Sequence, residues 1–133
     1  MEDDVRRVLP ESQFQRALCL EQKRVARSRK CFVLMLLVVP TPIQNGGESN
    51  PLGRTAPVIL ASVRETDIVG WHKQRSTLGI IFAELVMTDK QSVLTALRAK
   101  VMSGIRSVLG ADEAAGINFT LCCFPEDSKA DEL

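Results

Sequence analysis

Two stretches of this chain are apolar on consecutive residues rather than on alternate ones. Cys31–Val39 (CFVLMLLVV) carries no charge, and Thr77–Leu85 (TLGIIFAEL) carries one, at Glu84. Runs of this length with β-branched residues read as strands, and a strand apolar on both faces belongs inside a sheet with layers covering it. Pro40 and Pro42 end the first run, since neither can donate to a ladder. Any fold open to the chain has to place these two strands centrally.

The second run is half of a hairpin. Asp67-Ile68-Val69-Gly70-Trp71 precedes it, and the polar patch His72-Lys73-Gln74-Arg75-Ser76 separates the two. Apolar runs on either side of a short polar break predict two strands and their turn. The tip of this hairpin is where chemistry could sit on a rigid platform.

Helical spacing accounts for much of the rest. Phe14, Ala17, Leu18, Glu21 and Val25 form a narrow stripe in a helix predicted over residues 10–30, with Ser12 as N-cap. So thin a stripe among charges suits a helix that lies on a larger body, or one that pairs with a second copy of itself. Thr55 can cap a second helix with Pro57 in its first turn and Ile59, Leu60 and Val63 on its buried face. Thr88 with Gln91 fits a capping box for a third helix, whose stripe is Leu94, Leu97, Val101, Ile105 and Val108, with Gly110 as its stop. Residues 112–116 are expected as a loop, and Ile117–Phe124 as a last strand ended by Pro125. Gly46-Gly47 lies in a loop of residues 41–54 that has neither a Walker lysine nor Rossmann spacing.

The order is a helix followed by β-α-β-β-α-β. Right-handed crossovers fold it into a four-stranded antiparallel sheet with two helices on one face, the α+β ferredoxin-like arrangement. In that arrangement the first and third strands are central, and they are the two most apolar runs. The domain is expected over residues 10–127, between a flexible N-terminus (1–9) and an acidic tail (128–133).

With 133 residues, one domain and a real core are expected. A net charge of +1 argues against a nucleic-acid or anionic-membrane surface. The local basic run Arg24, Arg27, Arg29 and Lys30 suits a solvated helix end. Neither a signal peptide nor a membrane span is legible, so a cytoplasmic location is expected. Cys19, Cys31, Cys122 and Cys123 have no metal-ligand spacing and are expected as buried free thiols, the last two on opposite faces of a strand.

Three stretches resemble the GGDEF, or diguanylate cyclase-like, domain. Phe14–Phe32 is similar to the family's lead-in helix with its E-x-x-R-x-x-R-x run and first strand. Arg64-Glu65-Thr66-Asp67-Ile68-Val69-Gly70 matches the R-x-x-D ahead of the signature, and Phe119–Asp127 resembles a late strand ending in F-P-x-D. The resemblance implies a nucleotide-cyclase-like βαββαβ fold and a place in bacterial cyclic di-GMP signalling.

The signature itself is replaced. Where the family has R-x-G-G-D-E-F, the chain has Trp71-His72-Lys73-Gln74-Arg75-Ser76-Thr77. Lys73 and Gln74 cannot let the backbone approach a nucleotide as glycines do, and Arg75 repels a divalent cation where an acid would bind it. Val38 or Val39 stands where the resemblance implies a metal-binding Asp, and the family's last helix and strand have no counterpart. No catalytic residue, metal ligand or cofactor is therefore assigned, and cyclase activity is not expected.

Arg64 and Asp67 are retained. In the family such a pair grips cyclic di-GMP, an Arg fork suiting phosphate or the guanine Hoogsteen edge and a carboxylate accepting guanine N–H groups. At a helix-to-strand junction the same pair also makes a local ion pair. Trp71 is readable as core or as an aromatic face for a partner, and His72 as a solvated or packing residue. The expected function is a catalytically inactive module for protein interaction or dimerisation, with a homodimer or a partner protein. One alternative is a cyclic di-GMP receptor through Arg64 and Asp67, and another is an enzyme of unrecognised chemistry at the tip.

Overall fold

The computed structural model describes residues 7–27, 30–38, 51–73, 77–85 and 89–124. Val39 with the loop that follows it, the tip residues Gln74–Ser76, Thr88, Pro125, Asp127 and the acidic tail lie outside the described residues, as do residues 1–6.

Eight elements follow in order: α1 (Glu11–Arg27), β1 (Cys31–Val38), α2 (Pro51–Ser62), β2 (Ile68–Lys73), β3 (Thr77–Leu85), α3 (Lys90–Arg106), α4 (Ala111–Ala115) and β4 (Asn118–Phe124). The strands form one sheet in the order β2-β3-β1-β4, and every neighbouring pair is antiparallel. The two apolar runs are the inner strands, as their composition requires. This is the ferredoxin-like sheet with a leading helix.

Alternation along β1 and β3 divides the core into two layers. Val33, Met35 and Leu37 with Leu78, Ile80 and Phe82 face α2 and α3, and meet Leu52, Ile59, Val101 and Ile105 there. Phe32, Leu34 and Ile81 face the other way, where Phe14 of α1 is buried among them and Leu18 and Val25 lie alongside. Of the two readings of the α1 stripe, the structure shows the first: α1 lies on the body of its own domain. Fully burying one large apolar side chain of this kind contributes about 1.5–3 kcal/mol.

Glu21, on the same stripe, is buried and paired with Arg24 at 3.3 Å. Arg24 and Arg27 occupy the last helical turn, where cations meet the negative end of the dipole.

Several boundaries differ from expectation, each for a local reason. Helix α2 begins at Pro51 rather than after Thr55. A proline is well suited to a first turn, where its missing N–H is no loss. The Thr55 hydroxyl is then inside the helix and donates to the Leu52 carbonyl at 3.1 Å. The cap of α3 is Asp89, whose carboxylate accepts from the Ser92 amide and hydroxyl at 3.4 and 2.8 Å. The expected loop at 112–116 contains the short helix α4, whose Ala114 amide donates to the Gly110 carbonyl. Gly110 therefore separates two helices instead of ending one.

No disulfide joins the cysteines, but Cys19 is exposed and the other three are half-buried rather than fully buried. Cys122 and Cys123 do lie on opposite faces, one with each core layer.

Candidate functional site

The hairpin end of the sheet is built from four strand ends. Lys73 pairs with Thr77, Thr77 with Val38, and Val38 with Asn118. The row borders the signature: Lys73 and Thr77 flank Gln74–Ser76, which lie outside the described residues, and Val38 is one of the two residues that stand where the resemblance implies a metal-binding Asp. The row offers an ammonium group, a hydroxyl and an amide around a valine, a donor set that does not suit a hard divalent cation. Among the described residues no three His, Cys, Asp or Glu side chains stand together in a way that could hold a metal.

Just inside this row the β2–β3 register shifts between Trp71 and Lys73, which makes His72 the extra residue of a bulge. The bulge turns His72 toward α1. Its ring meets Phe14 edge-on, with centroids 6.3 Å apart and planes at 78°. Its Nδ1 is buried and has no hydrogen-bond partner among the described residues, and its carbonyl accepts from Gln15 Nε2 at 3.0 Å. Trp71, on the opposite face, is half-buried against the α2–α3 core. Of the roles open to them in sequence, both take the packing role.

The surface that receives Phe14 is a pair of glycines. Gly70 and Gly79 are cross-strand partners, and a Cβ on either would come within 2.6 or 2.5 Å of the Phe14 ring. Bare backbone at both positions makes the slot into which α1 docks. The segment before α1 is held as well: the Leu9 amide donates to the Val69 carbonyl, and the Trp71 amide donates to the Leu9 carbonyl, both at 2.9 Å. Leu9 thus occupies the outer edge of β2 as a short parallel bridge, although its position in sequence leaves it to the N-terminal segment. These contacts were missed in sequence. Their one signal was a glycine inside each of two facing strand patterns, which marks close approach of another group.

Arg64 and Asp67 are together, between the end of α2 and the start of β2. Asp67 is 4% exposed. Its Oδ2 accepts from the Arg64 amide and Nε at 3.0 and 3.2 Å, and its Oδ1 from Arg64 Nη2 and the Ala83 amide at 2.9 and 3.3 Å. Arg64 Nη2 also donates to the Ala83 carbonyl at 2.7 Å. An ionised carboxylate has about four acceptor sites, so this one is filled by the protein itself. The pair clasps the α2–β2 turn to β3. The Arg64 side chain is 48% exposed, and beside the clasp lies an open cleft of about 220 Å³ bordered by Arg7, Leu60, Glu65 and Val69.

With that geometry the chain defines a class: a cyclase-type antiparallel sheet with a leading helix on its second face. Solved structures of the same fold are GGDEF diguanylate cyclase domains. A DGC protein from Thermotoga maritima matches with a TM-score of 0.64 at 18% identity, over 91% of this chain and 85% of its own. The GGDEF domain of PA1120 (TpbB or YfiN) from Pseudomonas aeruginosa matches with a TM-score of 0.63 at 12% identity, over 94% and 76%. The diguanylate cyclase SiaD from the same organism, solved with its activator SiaC, matches at 0.60 and 18%, over 86% of this chain and 45% of SiaD. At these identities the likeness is one of fold, and the fold is GGDEF-like. No family model and no curated protein matches the sequence.

Proposed function

We propose that this domain is a catalytically silent relative of the diguanylate cyclases that acts in bacterial signalling by binding protein, either a second copy or another chain. The observation that carries this reading is the row Lys73, Thr77, Val38 and Asn118 at the hairpin end. The resemblance implies carboxylates at the end of the first strand and within the tip to bring a metal to a nucleotide; Val38 or Val39 stands at the first, Arg75 and Ser76 replace the others in sequence, and the row beside the tip adds a cation and no carboxylate. The complex of SiaD with its activator supports the idea that this fold takes protein partners. No helix among the described residues is long and apolar enough to cross a membrane, in keeping with a cytoplasmic module.

The test is turnover of GTP with Mg²⁺ or Mn²⁺. The expected result is no cyclic di-GMP above a protein-free control, and product that disappears on substitution at Lys73–Thr77 would overturn the reading.

A second reading, a cyclic di-GMP receptor at Arg64 and Asp67, draws on the half-exposed guanidinium and the cleft beside it. It requires Asp67 to give up donors it already holds. Calorimetry with cyclic di-GMP at tens of micromolar separates the two readings, because a receptor gives heat that Arg64→Ala removes. His72 turned onto Phe14 leaves the third reading, chemistry at the tip, without a base to assign.

A further inference from the structure

Helix α1 carries a row of cations on the side turned from the sheet. Arg16, Lys23 and Arg27 are exposed and stand seven and four residues apart, a spacing that puts them on one helix face. Among the described residues none of the three makes an ion pair, whereas Arg24 beside them is paired with Glu21. Leu20 lies within the row and is 53% exposed. With Lys23, Arg24 and Arg27 it borders an open cleft of about 440 Å³.

Strand β4 delivers the chain to this place. Phe124, at its end, pairs with Phe32 and stacks on that ring, with centroids 4.7 Å apart and planes at 10°. Both rings belong to the core layer beneath α1, where Val25 of the helix lies alongside, and Phe32 is five residues beyond Arg27. Residues 125–133, PEDSKADEL, come next and carry four acids, Glu126, Asp127, Asp131 and Glu132, against one base, Lys129. We propose that residues 126–133 fold back along the outer side of α1, setting their carboxylates against Arg27, Lys23 and Arg16. This reading stands apart from catalytic silence, which GTP turnover decides separately.

Charge, reach and position name the occupant. Eight residues of extended chain span at most about 26–29 Å, and from Arg27 back to Arg16 the helix rises about 16.5 Å, so the segment reaches the whole row. Running back from the helix end, it meets Arg27 with Glu126 and Asp127 first and the cations further up α1 with Asp131 and Glu132. Leu133 is the one large apolar side chain it brings to the cleft at Leu20. Exposed ion pairs are individually weak and screened by salt, so docking needs several together. A second copy carries the same acids, but the chain's own segment is tethered beside the row at an effective concentration on the order of millimolar. Once docked, the segment covers the basic side of α1, and any other anionic partner has to displace it.

The experiment is carbodiimide cross-linking of the full chain at about 5 µM, far below the tethered concentration, with linked peptides read by mass spectrometry. Carbodiimide joins an amine only to a carboxylate it already touches, which makes Lys23 the reporter. The expected product links Lys23 to Glu126, Asp127, Asp131 or Glu132 within the monomer, and its yield falls about fivefold or more between ~20 mM and ~0.5 M salt. Arg27→Glu is expected to lower the yield by a similar factor, and Arg16→Glu, in the middle of the helix, is the second variant should the circular dichroism melt show that the first disturbs the fold. Lys100, exposed on α3 at the other face of the sheet, is expected to link to the segment at least about fivefold less often, because only a docked segment favours one lysine over another. No link at Lys23, links as frequent at Lys100, links confined to dimers, or a yield indifferent to salt and to the arginine variants would overturn the docking.

Discussion

Replacing Gly79 by alanine isolates the contact that fixes α1 to the sheet. The new Cβ would lie 2.5 Å from Phe14 Cζ and 2.7 Å from Cε2. Carbon atoms at rest are about 3.5–4.0 Å apart, so the ring must move by roughly 1 Å or more. Phe14 is fully buried, and its helix is held at Leu9 and Gln15, which leaves the ring little room to yield. Gly79 does not have the positive φ that would strain an alanine. Taken alone, the exchange should therefore stabilise the strand by ~0.5–1 kcal/mol.

Overpacking outweighs that gain, and Gly79→Ala is expected to cost about 1–3 kcal/mol. Phe14→Ala is expected to cost about 3–5 kcal/mol as a core truncation. The informative variant is the double one: with Phe14 removed, Gly79→Ala should become neutral or stabilising. Urea unfolding of the four proteins reads all three quantities, provided the m-values agree. An alanine at residue 79 that costs the same with and without Phe14 would refute the docking slot.

Three further outcomes are expected. Asp67→Ala should lose about 2–3 kcal/mol, because it leaves the Arg64 and Ala83 amides without their acceptor, whereas Arg64→Ala should lose about 1 kcal/mol at most; equal losses in denaturant melts would argue against a buried clasp. Restoring Gly-Gly-Asp-Glu-Phe at residues 73–77 should still give no cyclic di-GMP, since Val38 and Val39 leave the first strand without its metal-binding Asp, and any turnover would show that the loop alone was missing. The Ser92 hydrogen bonds hold the Asp89 carboxyl below its ordinary value, so this cap's contribution is fully present above the usual carboxylate pKa and is lost as pH falls through the lowered one. Asp89→Asn should therefore be less stable than the wild type in urea at pH 7, with the gap closing toward the acid end of a pH series as the wild type loses this contribution; a gap that does not change with pH would contradict this.

The sheet was legible in sequence because Cys31–Val38 and Thr77–Leu85 left a ferredoxin-like order little choice about its centre. The helix caps were less so. Thr55 and Thr88 satisfied local capping rules, but Pro51 and Asp89, equally suited, were the residues at the ends. The Arg64–Asp67 pair was legible as an alternative between ligand grip and local ion pair. The spacing did not reveal that Ala83 would supply two further hydrogen bonds from β3, because that contact spans 16 to 19 residues of chain. The docking of α1 was illegible for the same reason: Gly70 and Gly79 announce close approach but not of what, and the answer lies 56 and 65 residues upstream at Phe14.

The placement of Leu9 also decides how the domain would respond to tension. Helix α1 leads covalently into the central strand β1, and its first half is held at β2, at Gly79 of β3 and, through Phe14, beside Phe32 and Leu34 of β1. A pull on the chain ahead of Leu9 meets the two Leu9–β2 hydrogen bonds first, and then the Phe14 ring in its slot. The covalent path into β1 takes load only after both have given way. Force from upstream is thus delivered first to the edge strand β2 and only then to the Phe14 slot in the middle of the sheet.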